Sequence, residues 1–400
     1  MSKIIEIIEK PISGEWGDED ESAIGIPVLR TTNFTNTGEI DYSNLATRIV
    51  DQNKAMKKFL QAGDLIIEKS GGSPAQPVGR VVYFEGENNK YLFNNFTSVL
   101  RIKNAEKHFY KYFFYQLYYK YKMGVTRKFQ NNTTGISNLK LDRFVNEIEV
   151  TFPSIRVQKQ ITKTLDTTAE LLAMRKQQFA ELDNHIKSTF YDMFGDLAFN
   201  DCKWGTSELV NICENKDDIK CGPFGTQLSK DEYQDSGVPL WGIPQINTAF
   251  KMPTKEFLTF EKARILDAYS IIPNDIAMSR KGNVGKCALY PTNYSPGIMH
   301  SDVLRIRINQ ETVNPIFMLH QFHLSGFIQN QIKLVSGGAI MAGVNVTKLK
   351  HILVHVPSIP LQNKFAEIVA KIEEQKVLVK QAIDETQMLF DSLMSQYFEK

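Results

Sequence analysis

Cysteine is scarce in this chain: Cys202, Cys213, Cys221 and Cys287 are the four copies, and no two of them form a C-x-x-C pair. Zinc-site spacing of cysteine with histidine is missing as well, so neither a metal framework nor a disulfide framework is expected, and the four read as reduced thiols. An excess of charge is also lacking. Lysine and arginine number 47 against 45 acidic side chains, a net +2, so any case for a nucleic-acid partner has to rest on local patches and not on a bulk basic field. The opening Met1-Ser2-Lys3-Ile4-Ile5-Glu6 has no uninterrupted apolar core, and the longest uncharged stretch, Leu334 to Val346, is short and glycine-rich. Neither spans a bilayer, and a cytoplasmic location without membrane contact is expected. Catalytic motifs are absent too. Gly282-Asn283-Val284-Gly285-Lys286 is two residues short of a nucleotide-cradling loop and is followed by Cys287. Asn314-Pro315-Ile316-Phe317 lacks the second proline of an N-P-P-F amino-methyltransferase motif, and its simpler reading is a helix start with Pro315 in the first turn.

Average globular composition is what remains, with 42% hydrophobic and 23% charged residues over 400 positions, long enough for two or more domains. The chain says nearly everything twice. Phe152-Pro153-Ser154-Ile155, followed by Gln158, returns as Val356-Pro357-Ser358-Ile359 with Gln362, an offset of 204. The same offset aligns Val99-Leu100-Arg101-Ile102 with Val303-Leu304-Arg305-Ile306. Upstream, Gly63-Asp64 matches Asn274-Asp275, and Ile26-Pro27-Val28-Leu29 matches Val238-Pro239-Leu240-Trp241, the drift being absorbed in loops. Two long copies point to a duplicated unit, not a solenoid. Short β-branched or aromatic segments such as Asp64 to Ile67, Arg80 to Phe84 and Ser98 to Ile102 read as strands, so each copy is an α+β globular part followed by one long helix.

Both helices carry a seam. Leu165, Leu172, Phe179, Ile186 and Met193 recur every seventh residue, as do Phe365, Ile372, Val379 and Leu393, with Thr386 breaking the second series. Ser154 and Ser358 stand as N-caps, and about 38 helical residues would reach roughly 57 Å. Such seams serve either packing against the adjacent domain or pairing of the two helices with each other. Antiparallel pairing would make a rigid spacer.

Loops that mix glycine with basic residues recur at matching places. Glu68-Lys69-Ser70-Gly71-Gly72-Ser73 runs through Gly79-Arg80 in the first copy, and Ser279-Arg280-Lys281-Gly282-Asn283 through Gly285-Lys286 in the second. Glycine lets backbone N–H groups approach phosphate, and Arg or Lys supplies counterion replacement or contact to guanine. A further basic and aromatic stretch, Arg101 to Gln130, is more simply an amphipathic helix with its rings buried. Its tail at Arg127 and Lys128, leading into Asn131-Asn132-Thr133-Thr134-Gly135, is the part with binding character.

These motifs together resemble the specificity subunits of Type I restriction-modification systems. Cys221-Gly222-Pro223-Phe224-Gly225-Thr226-Gln227-Leu228, then Gly237-Val238-Pro239-Leu240 and Gln245-Ile246-Asn247, is similar to one opening of that family's recognition domains. Gly14-Glu15-Trp16-Gly17, then Ile26 to Arg30 and Asn33-Phe34, is similar to another. Asn274 departs from the family's usual glycine, which bears on that turn's geometry. The resemblance implies target-recognition domains at 1–152 and 199–356, spacer helices at 153–198 and 357–400, and a two-part DNA target with a nonspecific gap. It implies double-stranded DNA, two modification subunits carrying S-adenosylmethionine, and restriction subunits using ATP and Mg as partners. The chain itself would then be non-catalytic and hold no cofactor or metal. Because the two openings and basic loops differ, an asymmetric target is expected. Arg30, Lys69, Arg80, Arg280, Lys281 and Lys286 are the expected DNA contacts, and Leu165, Leu172, Phe179, Ile186, Phe365, Ile372, Val379 and Leu393 the expected helix-pairing positions. Two other readings stand beside this one: a module separated from a fused restriction-methylation enzyme, and a coiled-coil adaptor that binds no DNA.

Overall fold

A computed structural model describes residues 1–73, 76–133, 136–200, 202–337 and 343–399. Thr134 and Gly135 of the polar loop, and residues 338–342 of the uncharged stretch, lie outside the described residues. By contacts the chain divides into one unit of Met1–Lys176 with Gln381–Lys400, and a second of Gln177–Lys380.

In the first unit, β1 (Ile12–Ser13), β2 (Leu65–Glu68), β3 (Val81–Tyr83) and β4 (Thr97–Leu100) form an antiparallel sheet in the order β1-β4-β2-β3. Leu65-Ile66-Ile67 and Val81-Val82-Tyr83 are apolar runs without alternation, and the reason is burial on both faces. Leu65, Ile67, Val81 and Leu100 face a core that includes α1 (Tyr110–Lys122), whereas Ile66, Val82 and Val99 face a second cluster with Leu29, Phe34 and Phe93. Tyr112, Phe113, Phe114 and Tyr115 of α1 are buried, so the rings of the basic-aromatic stretch serve the core.

The second unit repeats the sheet. Its strands are β5 (Ile219–Cys221), β6 (Ile276–Ser279), β7 (Cys287–Leu289) and β8 (Val303–Ile306), in the equivalent order β5-β8-β6-β7. One sequence alignment needs correction. Leu65 stands opposite Leu100 and Ile276 opposite Ile306, so this strand repeats at 306 − 100 = 206, not 204. A two-residue shift leaves every side chain on its expected face, which is why the letters Val-Leu-Arg-Ile matched in the wrong register. With the register corrected, Arg101 corresponds to Arg307. Each forms a bidentate pair with the buried aspartate after the turn: Arg101 with Asp64 at 2.8 and 2.7 Å, and Arg307 with Asp275 at 2.8 Å twice. The turns before them match as well, Gly63 at φ +97° and Asn274 at +72°, asparagine being the side-chain residue best suited to that region. Arg305 then occupies the place of Val99. It is 4% exposed and donates to the carbonyls of Ser270 and Asp217.

Following each sheet, α1 or its counterpart α3 (Pro315–Leu324) leads to a long helix. The first bond of α3 is satisfied as its sequence suggests: Asn314 Oδ1 accepts from the amides of Ile316 and Phe317, with Pro315 in the first turn. The long helices α2 (Ile155–Phe194) and α4 (Ile359–Phe398) each have 40 residues, about 60 Å of length, and each contributes one half to each unit. They run antiparallel within both. In the first unit Leu165 packs with Phe390, Met394 and Phe398, and Arg175 donates to the Ala382 carbonyl at 2.6 Å and to Thr386 Oγ1. In the second, Phe190 and Phe194 pack on Phe365, and Lys376 pairs with Asp183 at 2.7 Å. Leu165, Leu172, Ile186, Phe365, Ile372 and Val379 are buried, and Phe179 and Leu393 are half-buried. Thr386, where the seam breaks, receives the Arg175 guanidinium.

The repeated glutamines explain the P-S-I-x-x-Q spacing. Gln158, fully buried, accepts from the Phe109 amide at 2.8 Å and donates to the carbonyls of Lys107 (2.8 Å) and Pro153 (2.7 Å). Gln362 accepts from the Asn314 amide (2.8 Å) and donates to Pro357 (2.7 Å) and Thr312 (3.5 Å). A second duplicated clamp joins α1 to the segment before α2, Gln116 exchanging two bonds with Thr151, as Gln321 does with His355.

Candidate nucleic-acid interface

Both basic, glycine-containing loops connect the same two strands of their sheets. The Glu68 amide donates to the Arg80 carbonyl and the Ser279 amide to the Lys286 carbonyl, each at 2.8 Å. Lys69 therefore corresponds to Arg280, and Arg80 to Lys286. Gly79 (φ +101°) and Gly285 (φ +83°) precede the second basic residue in each loop. A Cβ on either would lie 2.6 Å from the Thr126 methyl or 2.8 Å from Ile332.

In the first unit, Lys69 Nζ donates to Ser13 Oγ at 3.1 Å, and burial, with Lys58 nearby, pushes its ammonium below the usual lysine range. Arg80 is committed inward. Its Nε and Nη2 hold Glu68 at 2.9 and 3.2 Å, Nη2 reaches the Thr31 carbonyl at 3.0 Å, and Nη1 reaches that of Phe34 at 3.3 Å. Four hydrogen bonds leave one of its five N–H groups. Arg80 nevertheless walls a cleft of about 470 Å³ with Lys122, Arg127, Asn36, Gln76 and Tyr118. Arg127 stood in the stretch with binding character, but Lys122 looked like an outer lysine of an amphipathic helix. The arginine at position 30 donates to the Asn44 carbonyl at 2.9 Å, beside Asn33, which holds Asp41 and Asn44.

In the second unit, Lys281 pairs with Asp302 at 2.9 Å and Lys286 donates to the Asn247 carbonyl at 3.1 Å. Arg280 lies over the Phe224 ring, 4.7 Å from guanidinium carbon to centroid. Phe224 belongs to the opening turn, and that turn is shared between the units. The Gly14 amide donates to Thr97 at 3.3 Å and the Gly222 amide to Val303 at 3.0 Å, equivalent strand positions. Glycine is required there, since a Cβ would come within 1.9 Å of the Asn94 carbonyl oxygen in one and 2.2 Å of that of His300 in the other. Trp16 and Phe224 thus occupy the same place.

Among the described residues no cluster of three or more His, Cys, Asp or Glu could hold a metal. No described helix is long and apolar enough to cross a membrane. Burial pushes the Cys213 thiol up to about 12 and that of Cys287 higher still, the wrong direction for a nucleophile.

The family described as the Type I restriction modification DNA specificity domain matches twice, over residues 1–184 and 203–386. A Methanocaldococcus jannaschii protein whose name assigns it as the MjaX type I restriction enzyme specificity subunit is 20% identical over 385 residues, 94% of this chain and 86% of its own. Among solved structures, the Type I restriction-modification S subunit from M. genitalium matches at a TM-score of 0.60 and 14% identity, over 99% of this chain and 95% of that one. Another, from work on complex assembly and conformational transition of the type I R-M system, matches at 0.58 and 12%, over 99% and 96%. The fold is the same in both. With its domain matched in each half, this chain belongs to the Type I restriction-modification DNA specificity family, whose general role is DNA recognition.

Proposed function

We propose that each unit reads one half of an asymmetric, two-part DNA target and that partner subunits carry out methylation and cleavage at the site so chosen. One observation carries this reading: the connection between equivalent strands is basic in both units, yet Lys69 is matched by Arg280 and Arg80 by Lys286. Placement is shared and chemistry differs, as two readers of different half-sites require. Arg30, Lys69, Arg280, Lys281 and Lys286 are the proposed contacts, with Arg80 acting from the cleft wall beside Lys122 and Arg127. Arginine is suited to guanine edges and lysine to phosphate. The chain performs no chemistry itself. Two modification subunits bind S-adenosylmethionine and restriction subunits bind ATP and Mg, all in the cytoplasm. The test is co-expression with the modification subunit and methylation-aware sequencing of the host DNA. A gapped asymmetric motif, one half of which changes when residues 200–350 are exchanged, is expected. A complex that forms and modifies no gapped motif would refute the reading in favour of an adaptor.

A further inference from the structure

Each opening turn holds an aromatic ring with an arginine laid over it, and the two arginines come from different places in the unit. In the first unit the guanidinium carbon of Arg48 lies 4.0 Å from the Trp16 centroid. Arg48 belongs to the strand Ala46–Ile49, which pairs antiparallel with Ile26–Leu29. In the second unit the corresponding position is Leu258, because Ile26 faces Arg48 as Val238 faces Leu258, and Leu258 is fully buried. The ring there is covered by Arg280, at the end of β6. Arg280's own counterpart in the first unit, Lys69, is turned to Ser13. The platform is therefore duplicated and the cation on it is not.

Trp16 also packs on Val28, Ala55 and Leu92 of the first unit's core, but folding does not call for the ring in the second unit. Phe224 keeps 46% of its surface exposed on a three-residue turn, where a large apolar ring contributes little burial. Arg280 makes no side-chain hydrogen bond among the described residues, and Arg48 has only a loose pair with the exposed Glu19 at 3.9 Å. The Nε–H of each makes no hydrogen bond among the described residues. What the cation–ring contact does supply is restraint on the guanidinium before a partner arrives, so less rotamer freedom is lost on contact.

We propose that Arg48 and Arg280 are the specificity-determining arginines of their units, each held over the ring of its opening turn so that its N–H fork meets a base edge in the DNA major groove. This rests on the DNA-reading role proposed above. Trp16 and Phe224 are positioning residues. Because the two cations arrive from different strands over the same platform, the forks point at different bases, and the half-sites differ.

The experiment expresses the whole system, this chain with its modification partner, carrying Arg48→Lys or Arg280→Lys, and maps methylated adenines by sequencing. Lysine keeps the charge and loses the planar fork. Arg48→Lys is expected to relax one base position in one half of the motif and Arg280→Lys one position in the other half, each with a loss of discrimination of roughly 10-fold or more. An unchanged motif in both variants overturns the proposal, as does relaxation of both halves by a single substitution. If a variant abolishes methylation, the purified complex carrying it is competed between the parental target and single-base variants. Loss of preference at one position supports the proposal, and an unaltered ranking overturns it. Absence of any gapped motif in the wild-type complex would sink the DNA-reading role itself, and that result appears before any substitution is made.

Discussion

Replacing Gln158 by alanine removes the acceptor of the Phe109 amide and the donor to the carbonyls of Lys107 and Pro153 in one step. The side chain is fully buried, and three backbone groups lose a partner, those of Phe109 and Pro153 on half-buried residues and that of Lys107 on an exposed one. Each orphaned buried group costs about 1–3 kcal/mol, and a water entering the vacated space recovers part of that. With the Lys107 carbonyl open to solvent, the net loss is about 2–4 kcal/mol. The first unit has 176 + 20 = 196 residues, for which about 2–4 °C accompanies each kcal/mol, so its melting transition should fall by about 10 °C. Gln362→Ala should lower the second unit's transition somewhat less, since its bond to Thr312 is long at 3.5 Å. Differential scanning calorimetry of the full chain is the assay, with the exposed Gln160→Ala as control. A fall of less than about 1 kcal/mol for Gln158→Ala, alongside a normal control, would refute the view that this glutamine clamps the helix start.

Asp275→Ala should cost the second unit about 3–5 kcal/mol by urea denaturation, because it leaves Arg307 without its bidentate partner. Thr386→Leu should destabilise the first unit by about 1–3 kcal/mol by depriving Arg175 of an acceptor, whereas adding Arg175→Leu should restore or exceed the starting stability as the seam becomes apolar. In DNA binding by the assembled complex, Lys286→Ala should reduce the slope of log affinity against log salt by about 1, and Lys281→Ala by less, since Asp302 already partners it. Burial lowers His320, His323 and His355 in the second unit, against His108 alone in the first. Their folded pKa values lie below the unfolded value of about 6.5, so the unfolded chain binds more protons on acidification. That stability is complete above about pH 6.5 and is lost as pH falls below it. The second unit's transition should therefore drop faster than the first's between pH 7 and 5.5, and the paired His320→Gln and His323→Gln variant should flatten that dependence.

The duplication, the strands and the seams were legible because they are written in period and repetition, which short-range sequence carries. Register was not. Val-Leu-Arg-Ile occurs in both halves, and only the pairing of Ile276 with Ile306 reveals that Arg101 answers to Arg307. The basic loops were found as surface features, but Arg80 looked free because its partner Glu68 lies across the strand pair, 12 residues away. Placing Glu68 opposite Arg80 in a two-stranded pairing would have been the available signal. Arg48 carried no signal of its own, since Trp16 meets it only after an intervening strand has been laid down.

The buried Arg305 sets a limit on how this protein can be re-engineered. Its guanidinium fills the place of Val99 and is tied to the carbonyls of Ser270 and Asp217, whereas Val99 lies among Ile66, Val82 and Phe93. Grafting the second unit's strands into the first would set a guanidinium in the place of Val99, among Ile66, Val82 and Phe93, a mismatch expected to cost several kcal/mol. Exchange of loop tips or of whole halves is therefore expected to preserve the fold, and exchange of single sheet strands to disrupt it.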